Sequence, residues 1–237
     1  MPRGDSLTVK TLLLSVGKII AALSALLISV VLARTLSVEG FAVHKKAVLA
    51  FALISPVLML GLPKALYFFL PGSGAGARSI LVTNLLLLGL SGACFALGLV
   101  FVFGDALSSF LGQNGLTRYW WIVGLYGFAM LPLSALSATL VAQNQVSVLV
   151  RFQVLSQAVL VTVMALVAYY LRTPVATLTV LMVWSFIAVG VAVLLMLNST
   201  LPGTVGLLEI RGHMKAQLAY AVPLGLASMF GSISTQL

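Results

Sequence analysis

Long, uncharged and mostly apolar runs follow one another along the chain. An α-helix rises about 1.5 Å per residue, so about 20 apolar residues cross a hydrocarbon layer about 30 Å thick. The runs do not alternate at period two, and only helices or closed barrels satisfy their backbone hydrogen bonds in lipid. The pattern therefore predicts transmembrane helices. The runs cover residues 19–33, 47–63, 79–104, 119–150, 152–171, 173–208 and 216–237.

The predicted architecture is an all-α integral membrane protein with a six-span unit over residues 1–215 and the start of a seventh span over 216–237. The first two spans reach full length because they include Lys18 and Lys64 near their ends. The longest connection, 198–215, is predicted to be a polar-faced connector. The predicted spans are 11–34, 47–70, 79–103, 119–142, 152–171, 175–197 and 216 onward.

The composition excludes an ordinary soluble domain. Of the 237 residues, 61% are hydrophobic and 7% are charged, whereas about a quarter of the residues of soluble domains are charged. The formal net charge of +9 does not indicate a nucleic-acid partner, because no basic stretch is interleaved with solvent-facing aromatic residues. We interpret it as cytoplasmic loop charge and attraction to anionic membrane lipids.

The distribution of lysine and arginine favours a cytoplasmic N-terminus. With that orientation, seven basic residues lie in cytoplasmic segments and five outside, and positive loop charge is retained on the cytoplasmic side. The cytoplasmic set is Arg3, Lys10, Lys64, Arg78, Arg151, Arg211 and Lys215, and the outer set is Arg34, Lys45, Lys46, Arg118 and Arg172.

The acidic residues argue against an enzyme. The chain has only 4 of them, all outside the predicted spans, and no pair suits general acid–base catalysis. They are Asp5, Glu39, Asp105 and Glu209.

The histidines and the single cysteine do not suggest a metal site. His44 and His213 are predicted to lie in separate loops, and Cys94 is predicted to be an inert buried thiol in the third span. We therefore predict no catalytic residues, no metal ligands and no cofactor.

Four polar residues within the spans are the candidate functional residues. Successive spans cross the membrane in opposite directions. Three of the residues lie near the start of the first, third and fifth spans, and one lies near the end of the second, so all four are predicted about 8–10 Å below the cytoplasmic surface. They are Lys18, Asn84, Gln157 and Lys64, respectively. Gln153 lies one helical turn before Gln157. The lysines could snorkel to the head groups or face a watery cavity. The shared depth favours a cationic vestibule, which we hypothesise attracts an anionic head group such as a diphosphate-linked lipid or an acidic glycan.

Four segments carry a family resemblance. LARTLSVEGF (32–41) and LGLPKALYFFLP (60–71) resemble the first turn and second span of the polysaccharide and O-antigen flippases. These flippases form the polysaccharide transporter branch of the multidrug/oligosaccharidyl-lipid/polysaccharide superfamily. TLVAQNQVSVLVRF (139–152) resembles that family's fourth-to-fifth-span connector, and LAYAVPLGLASM (218–229) resembles the opening of its seventh span.

The resemblance implies a MATE-like fold of two six-helix lobes whose cavity opens alternately to each side of the membrane. This chain would hold the N-terminal lobe and the start of span 7, with the C-terminal lobe missing after Leu237. The implied substrate is an undecaprenyl-diphosphate-linked oligosaccharide, flipped to the outer leaflet of a bacterial or archaeal plasma membrane during surface polysaccharide biosynthesis. Lys18, Lys64 and Arg34 occupy places comparable to the family's cationic cavity residues. Other polysaccharide-assembly membrane proteins are implied as partners.

Several alternatives stay open. A cation-coupled multidrug exporter of the same superfamily commonly has an acidic residue inside its N-terminal lobe, and none is found here. A peptidoglycan-precursor flippase would use the same chemistry on a different glycan. From another class, a membrane enzyme such as a glycan polymerase is disfavoured by the scarcity of acidic residues. A half-transporter without its own activity is the remaining reading.

Overall fold

The computed structural model describes residues 7–110, 112, 114–200 and 205–234. The described residues contain helices and no strand. The α-helices are α1 Leu7–Thr35, α2 Val38–Met59, α3 Leu62–Phe69, α4 Ala77–Gly98, α5 Gly104–Phe110, α6 Trp120–Leu133, α7 Ala135–Ala142, α8 Val146–Leu171, α9 Pro174–Ser199 and α10 Leu207–Ser234. A π-helical turn, Leu99–Phe103, joins α4 to α5, and 3-10 turns cover Gly74–Gly76 and Asn114–Tyr119.

Six helical segments among the described residues are long and apolar enough to cross a membrane. They confirm the prediction of an all-helical, multi-pass membrane protein. The arrangement as a lobe of a MATE-like fold stays a prediction. The segments are Thr8–Thr35, Val38–Met59, Ala77–Phe110, Thr117–Ala142, Val146–Leu171 and Pro174–Ser199.

The predicted second span, 47–70, is divided into two helices. Leu60 and Gly61 have φ angles of 45° and 75°, which end α2 in the left-handed region. Glycine adopts this region freely, whereas a leucine there costs about 1–2 kcal/mol. Pro63 then falls in the first turn of α3, where the N–H that proline lacks has no helical partner. The Gly-Leu-Pro sequence therefore ends one helix and starts the next.

The helix α2 begins nine residues earlier than the predicted span, which started at residue 47. Ser37 caps it, because its hydroxyl accepts a hydrogen bond from the backbone N–H of Gly40 at 3.1 Å. Glu39 lies in the first turn, where a negative charge complements the helix dipole. The charged residues Lys45 and Lys46, which suggested a loop, therefore lie in the first half of a helix.

Both histidines lie in helices, so their predicted placement in loops is wrong. His44 is buried in α2, and its Nδ1 lies 2.9 Å from the Thr177 hydroxyl of α9. His213 lies in α10, which begins within the predicted connector 198–215. The Ser37 cap extends α2 beyond its apolar part.

The prediction that Cys94 is buried is also wrong. Its thiol is exposed on α4. Apolar residues lie on every side of α4, so the sequence does not distinguish its lipid-facing side from its core side.

Small residues allow α4 and α6 to cross closely. A Cβ placed on Gly92 would lie 2.9 Å from the Cα of Phe128, and one on Gly124 would lie 3.1 Å from the Cα of Ala96. In lipid, helix association depends on such close packing rather than on the exclusion of water. This crossing forms part of the main hydrophobic core.

We expect Gly92→Ala to destabilise the protein by about 1–3 kcal/mol, because the added methyl group meets the backbone of α6 and overpacks the core. Gly89→Ala is the matched control on the same helix, since a Cβ there meets nothing within 4 Å. Unfolding in detergent by denaturant measures both. Equal stability of the two variants would contradict the crossing.

The helix α10 packs against the break between α2 and α3. A Cβ on Gly225 would lie 2.5 Å from the carbonyl carbon of Leu60, and one on Gly61 would lie 2.7 Å from the carbonyl oxygen of Ala221. Two glycines therefore let one backbone rest on another. The contact positions α10 beside α3 and α4.

Candidate functional site

A mixed polar and apolar cavity of about 210 Å³ lies between α7 and α8. We call it the α7–α8 cavity. Its lining includes Gln157, a predicted site residue, and several further polar side chains. The polar lining residues are Ser134, Ser137, Gln153, Ser156 and Gln157, and the apolar ones are Leu133, Leu136, Leu149 and Phe152.

Local sequence explains why these polar groups converge. Gln153, Ser156 and Gln157 are spaced i, i+3 and i+4, so they share one face of α8. Pro132 lacks an N–H and lies at the end of α6, where the helix is interrupted before α7 begins. The hydroxyl of Ser134 donates to the carbonyl of Leu131 at 2.5 Å at this junction.

Four polar side chains of this cavity form no hydrogen bond to another described residue: Ser137, Gln153, Ser156 and Gln157. An amide or hydroxyl group without a partner costs several kcal/mol in hydrocarbon. Such groups are retained in spans where water or a polar ligand supplies the partner. The cavity therefore has the chemistry of a hydrated polar site.

The helix α1 passes beside this cavity at Gly17, the residue before Lys18. Gly17 is buried, and a Cβ there would lie 2.7 Å from the Gln153 Oε1. Lys18 itself is not among the lining residues of the cavity. The ammonium of Lys10 donates to the Asn144 Oδ1 at 2.8 Å, which ties α1 to the connection between α7 and α8. Lys18 is exposed and lies about 12 Å along the helix from Lys10, at 1.5 Å per residue.

Asn84 belongs to a second group of polar residues and is fully buried. Its amide Nδ2 donates to the Leu62 carbonyl at 2.9 Å and to the Gln217 Oε1 at 2.8 Å. The Gln217 Nε2 in turn donates to the Ile80 carbonyl at 2.8 Å. This network joins α3, α4 and α10, so Asn84 holds three helices together inside the core. Lys64 lies two residues after Leu62 and is exposed.

The two groups face the same end of the helical bundle. The connection between α3 and α4 and the connection between α7 and α8 line one cavity of about 350 Å³ that includes Pro71, Gly72, Gln143 and Asn144. These connections therefore lie side by side.

The candidates lie at different distances from the ends of their own helices. Counted at 1.5 Å per residue, Lys64 lies about 9 Å from Leu70 and Asn84 about 11 Å from Ala77. By the same count, Gln157 lies about 16 Å from the start of α8 at Val146, because α8 begins six residues before the predicted span. The common depth of about 8–10 Å below the cytoplasmic surface stays a prediction.

Arg34 lies apart from the other candidates. It is exposed in the last turn of α1, sixteen residues and about 24 Å along the helix from Lys18. A cation at that position complements the helix dipole, which accounts for it without a ligand. The structure therefore does not bring Arg34 to the α7–α8 cavity.

The serines of this site were not among the residues predicted from the sequence. Ser156 carried a usable signal, because it shares the face of α8 that holds the two glutamines. Ser134 and Ser137 carried a weaker one, since only the packing of α7 against α8 brings them into the cavity. Among the described residues, no group of three or more His, Cys, Asp or Glu side chains could hold a metal ion.

Comparison of the chain with protein-family models, with curated proteins and with solved structures finds no match.

Proposed function

We propose that this chain moves an anionic, lipid-linked oligosaccharide across a membrane, as a flippase that works by alternating access. The observation that carries the proposal is the set of amide and hydroxyl side chains in the α7–α8 cavity that are not hydrogen-bonded to other described residues. The proposal also rests on the resemblance of four segments of the chain to polysaccharide and O-antigen flippases.

The chemistry of the cavity suits a glycan. Sugar hydroxyl groups both donate and accept hydrogen bonds, as do the amides of Gln153 and Gln157 and the hydroxyls of Ser137 and Ser156. When an apolar molecule occupies a site built to bind hydroxyl groups, the polar groups of the site are left without hydrogen bonds. Such a site therefore binds apolar molecules less tightly than sugars. The glycan would therefore replace the water that otherwise pairs with these side chains.

The lysines suit the diphosphate of such a lipid. Lys18 is exposed on α1 one residue after Gly17, where α1 passes Gln153, and Lys64 is exposed on α3. An ammonium group is a strong binder of phosphate as a point charge, and its attraction is larger near the membrane than in bulk water. The acidic residues of the described chain, Glu39, Asp105 and Glu209, lie in the first turns of helices, away from these lysines along the sequence.

A transport assay on the amides tests the glycan site. In proteoliposomes, we expect Gln153→Leu/Gln157→Leu to lower the rate of flipping of a fluorescent diphosphate-linked oligosaccharide by about fivefold or more, since two lost hydrogen bonds correspond to about 1–3 kcal/mol. Thr162→Val is the matched control on α8, because its hydroxyl is exposed and bonds only to its own helix at Ala158. Normal flipping by the double variant would contradict the proposal.

A second assay tests the lysines. We expect Lys18→Ala/Lys64→Ala to raise the half-saturating concentration of the diphosphate lipid, because the lysine charges attract the anionic group. The rate of flipping should also depend less on salt concentration, because salt screens that attraction in the unaltered protein. Arg34→Ala is the matched control, since Arg34 lies at the far end of α1. If the lysine variant transports normally, or if only Arg34→Ala changes transport, the assigned role of the lysines fails. Flipping of a neutral glycolipid alone would also contradict it.

A further inference from the structure

A cavity lies at the end of the bundle where the α3–α4 and α7–α8 connections meet the end of α9. Its volume is about 350 Å³, within the range of small-molecule sites. We call it the α4 cavity, because Ala77, the first residue of α4, lines it. Among the described residues, it shares no lining residue with the α7–α8 cavity. It is therefore a separate candidate site.

The wall of the α4 cavity carries donors for hydrogen bonds. The side chains of Gln143 and Asn144 line it, and each has an amide NH₂ group. Gly72 and Gly74 also line it, and a Cβ on either would meet no atom within 4 Å. The backbone of the α3–α4 connection is therefore open to a ligand.

The helix α4 begins at this cavity without a capping side chain. Its N-cap residue is Gly76, and no acidic residue lies in its first turn. The helix dipole places a partial positive charge at this end. The N–H groups of Gly76 and Ala77 are already bonded within the preceding turn. The helix therefore contributes its dipole to the cavity rather than these two donors.

A buried hydroxyl beside the cavity has no partner. Ser79 lies in the first turn of α4 and is fully buried, and its Oγ forms no hydrogen bond to a described residue. In an α-helix each Cα–Cβ bond is tilted toward the N-terminus, so this side chain is directed toward the end of α4 where Ala77 lines the cavity. A buried hydroxyl without a partner destabilises the fold. An acceptor oxygen bound in the cavity would supply that partner.

Two cations flank the cavity. The Lys10 ammonium of α1 donates to the Asn144 Oδ1 at 2.8 Å, so it lies against the cavity wall, and an ammonium has further N–H donors. Arg78 follows Ala77 in α4 and is half-buried, and it forms no hydrogen bond or ion pair with another described residue. Its guanidinium is a planar fork of N–H donors that matches a phosphate group.

Acidic residues do not balance this charge in the part of the chain that the structure describes. Asp105 lies 28 residues after Ala77, about 42 Å along the helical segment. Glu39 lies in the first turn of α2, at the far end of that helix from α3. Glu209 is the nearest along the chain, ten residues after Ser199, and is exposed. The cations at the cavity therefore outnumber the acidic residues near it.

This set of groups favours phosphate over other anions. A phosphate group carries about two negative charges at neutral pH, so it pairs with both cations and still accepts hydrogen bonds from amides and a hydroxyl. A carboxylate has one charge and fewer oxygen atoms, so it would leave part of the set unpaired. Arginine, lysine and the start of a helix are common partners of phosphate in proteins.

We propose that the α4 cavity binds a phosphate group, with Lys10 and Arg78 as its charged contacts and the Ser79 hydroxyl as a donor. The phosphate is carried by an anionic lipid head group or is free in water, since the end of a membrane-spanning bundle meets both. The site includes neither Lys18 nor Lys64 and no residue of the α7–α8 cavity. The inference is therefore independent of the transported substrate.

Two phosphate probes test this proposal on the whole chain in detergent. Inorganic phosphate is titrated and followed by phosphorus NMR. Dioleoyl phosphatidic acid is compared by native mass spectrometry with dioleoylglycerol, which lacks the phosphate. Saturable binding of inorganic phosphate supports the site with free phosphate as the source, and preference for phosphatidic acid alone supports it with the head group as the source. Failure of both probes would overturn the proposal.

A pair of double variants tests the charged contacts. We expect Lys10→Gln/Arg78→Gln to weaken binding of the probe by about tenfold or more, because two charge-assisted contacts are lost. Arg151→Gln/Lys215→Gln is the matched control. It removes two exposed basic side chains that neither bond to a residue lining the α4 cavity nor adjoin one in sequence. An equal loss in both double variants would show that binding follows net charge alone and would refute the site.

Ser79→Ala gives a readout that leaves every charge in place. We expect it to weaken binding of the probe by about threefold or more, because one hydrogen bond is lost. Without the probe, the variant should be at least as stable as the unaltered protein, because it removes a buried hydroxyl that has no partner among the described residues. Unfolding in detergent with and without the probe measures both effects, since a ligand of the folded state raises stability. Equal stabilisation of both proteins by the probe would remove Ser79 from the site.

Discussion

Gly225→Ala is expected to release α10 from the rest of the bundle. The added Cβ would lie 2.5 Å from the carbonyl carbon of Leu60 and 2.6 Å from its oxygen. These are backbone atoms rather than the ends of flexible side chains, so the clash is relieved only by a shift of the backbone. Overpacking of this kind costs about 1–3 kcal/mol, occasionally more.

Gly212→Ala is the matched control for this effect. Gly212 lies in the same helix, and a Cβ there meets nothing within 4 Å, so alanine should stabilise the helix by up to about 1 kcal/mol. The two variants should therefore differ by about 1–4 kcal/mol. Hydrogen exchange of the α10 amides measures the difference, because local opening of one helix exposes its own amides first. Equal protection of α10 in both variants would show that the helix does not rest on Leu60.

The hydrogen bond between Asn84 and Gln217 is expected to show energetic coupling. Each residue forms one further hydrogen bond, to the Leu62 and Ile80 carbonyls respectively. A side chain left buried without its partner costs about 1–3 kcal/mol, and hydrogen bonds between transmembrane helices contribute about 0.6 kcal/mol on average. The double variant Asn84→Leu/Gln217→Met should therefore cost less than the sum of its two single variants.

Each single variant deprives the other residue of a partner. Asn84→Leu leaves the Gln217 Oε1 without its donor, and Gln217→Met leaves the Asn84 amide with the Leu62 carbonyl as its one acceptor. Unfolding of the three variants in detergent gives the double-mutant cycle. Strict additivity would contradict the network.

Local sequence predicted much of the fold. The apolar runs are long enough to cross a membrane, and lipid allows their backbones only helices or closed barrels. The boundaries were less accurate, because Lys45 and Lys46 suggested a loop where the Ser37 cap had already started α2. A capping residue can start a helix before its apolar part begins, and hydropathy alone does not predict this polar first segment.

The candidate site was predicted in part. The spacing of Gln153 and Gln157 places both on one face of α8, and helical periodicity alone is enough to show it. The role of Asn84 was not predictable in this way, because its partner Gln217 lies 133 residues later in the chain. A polar residue in a span looks the same in sequence whether it faces a cavity or another helix.

The sequence by itself determined that this protein is helical, polytopic and cationic, because these properties follow from hydropathy, length and charge counted along the chain. Only the tertiary structure decided which side of each span faces lipid, where α10 rests, and which polar groups are paired. In a membrane protein, lipid-facing and core-facing side chains are both apolar. Periodicity therefore fixes that a helix crosses the bilayer, and packing alone fixes what each of its faces contacts.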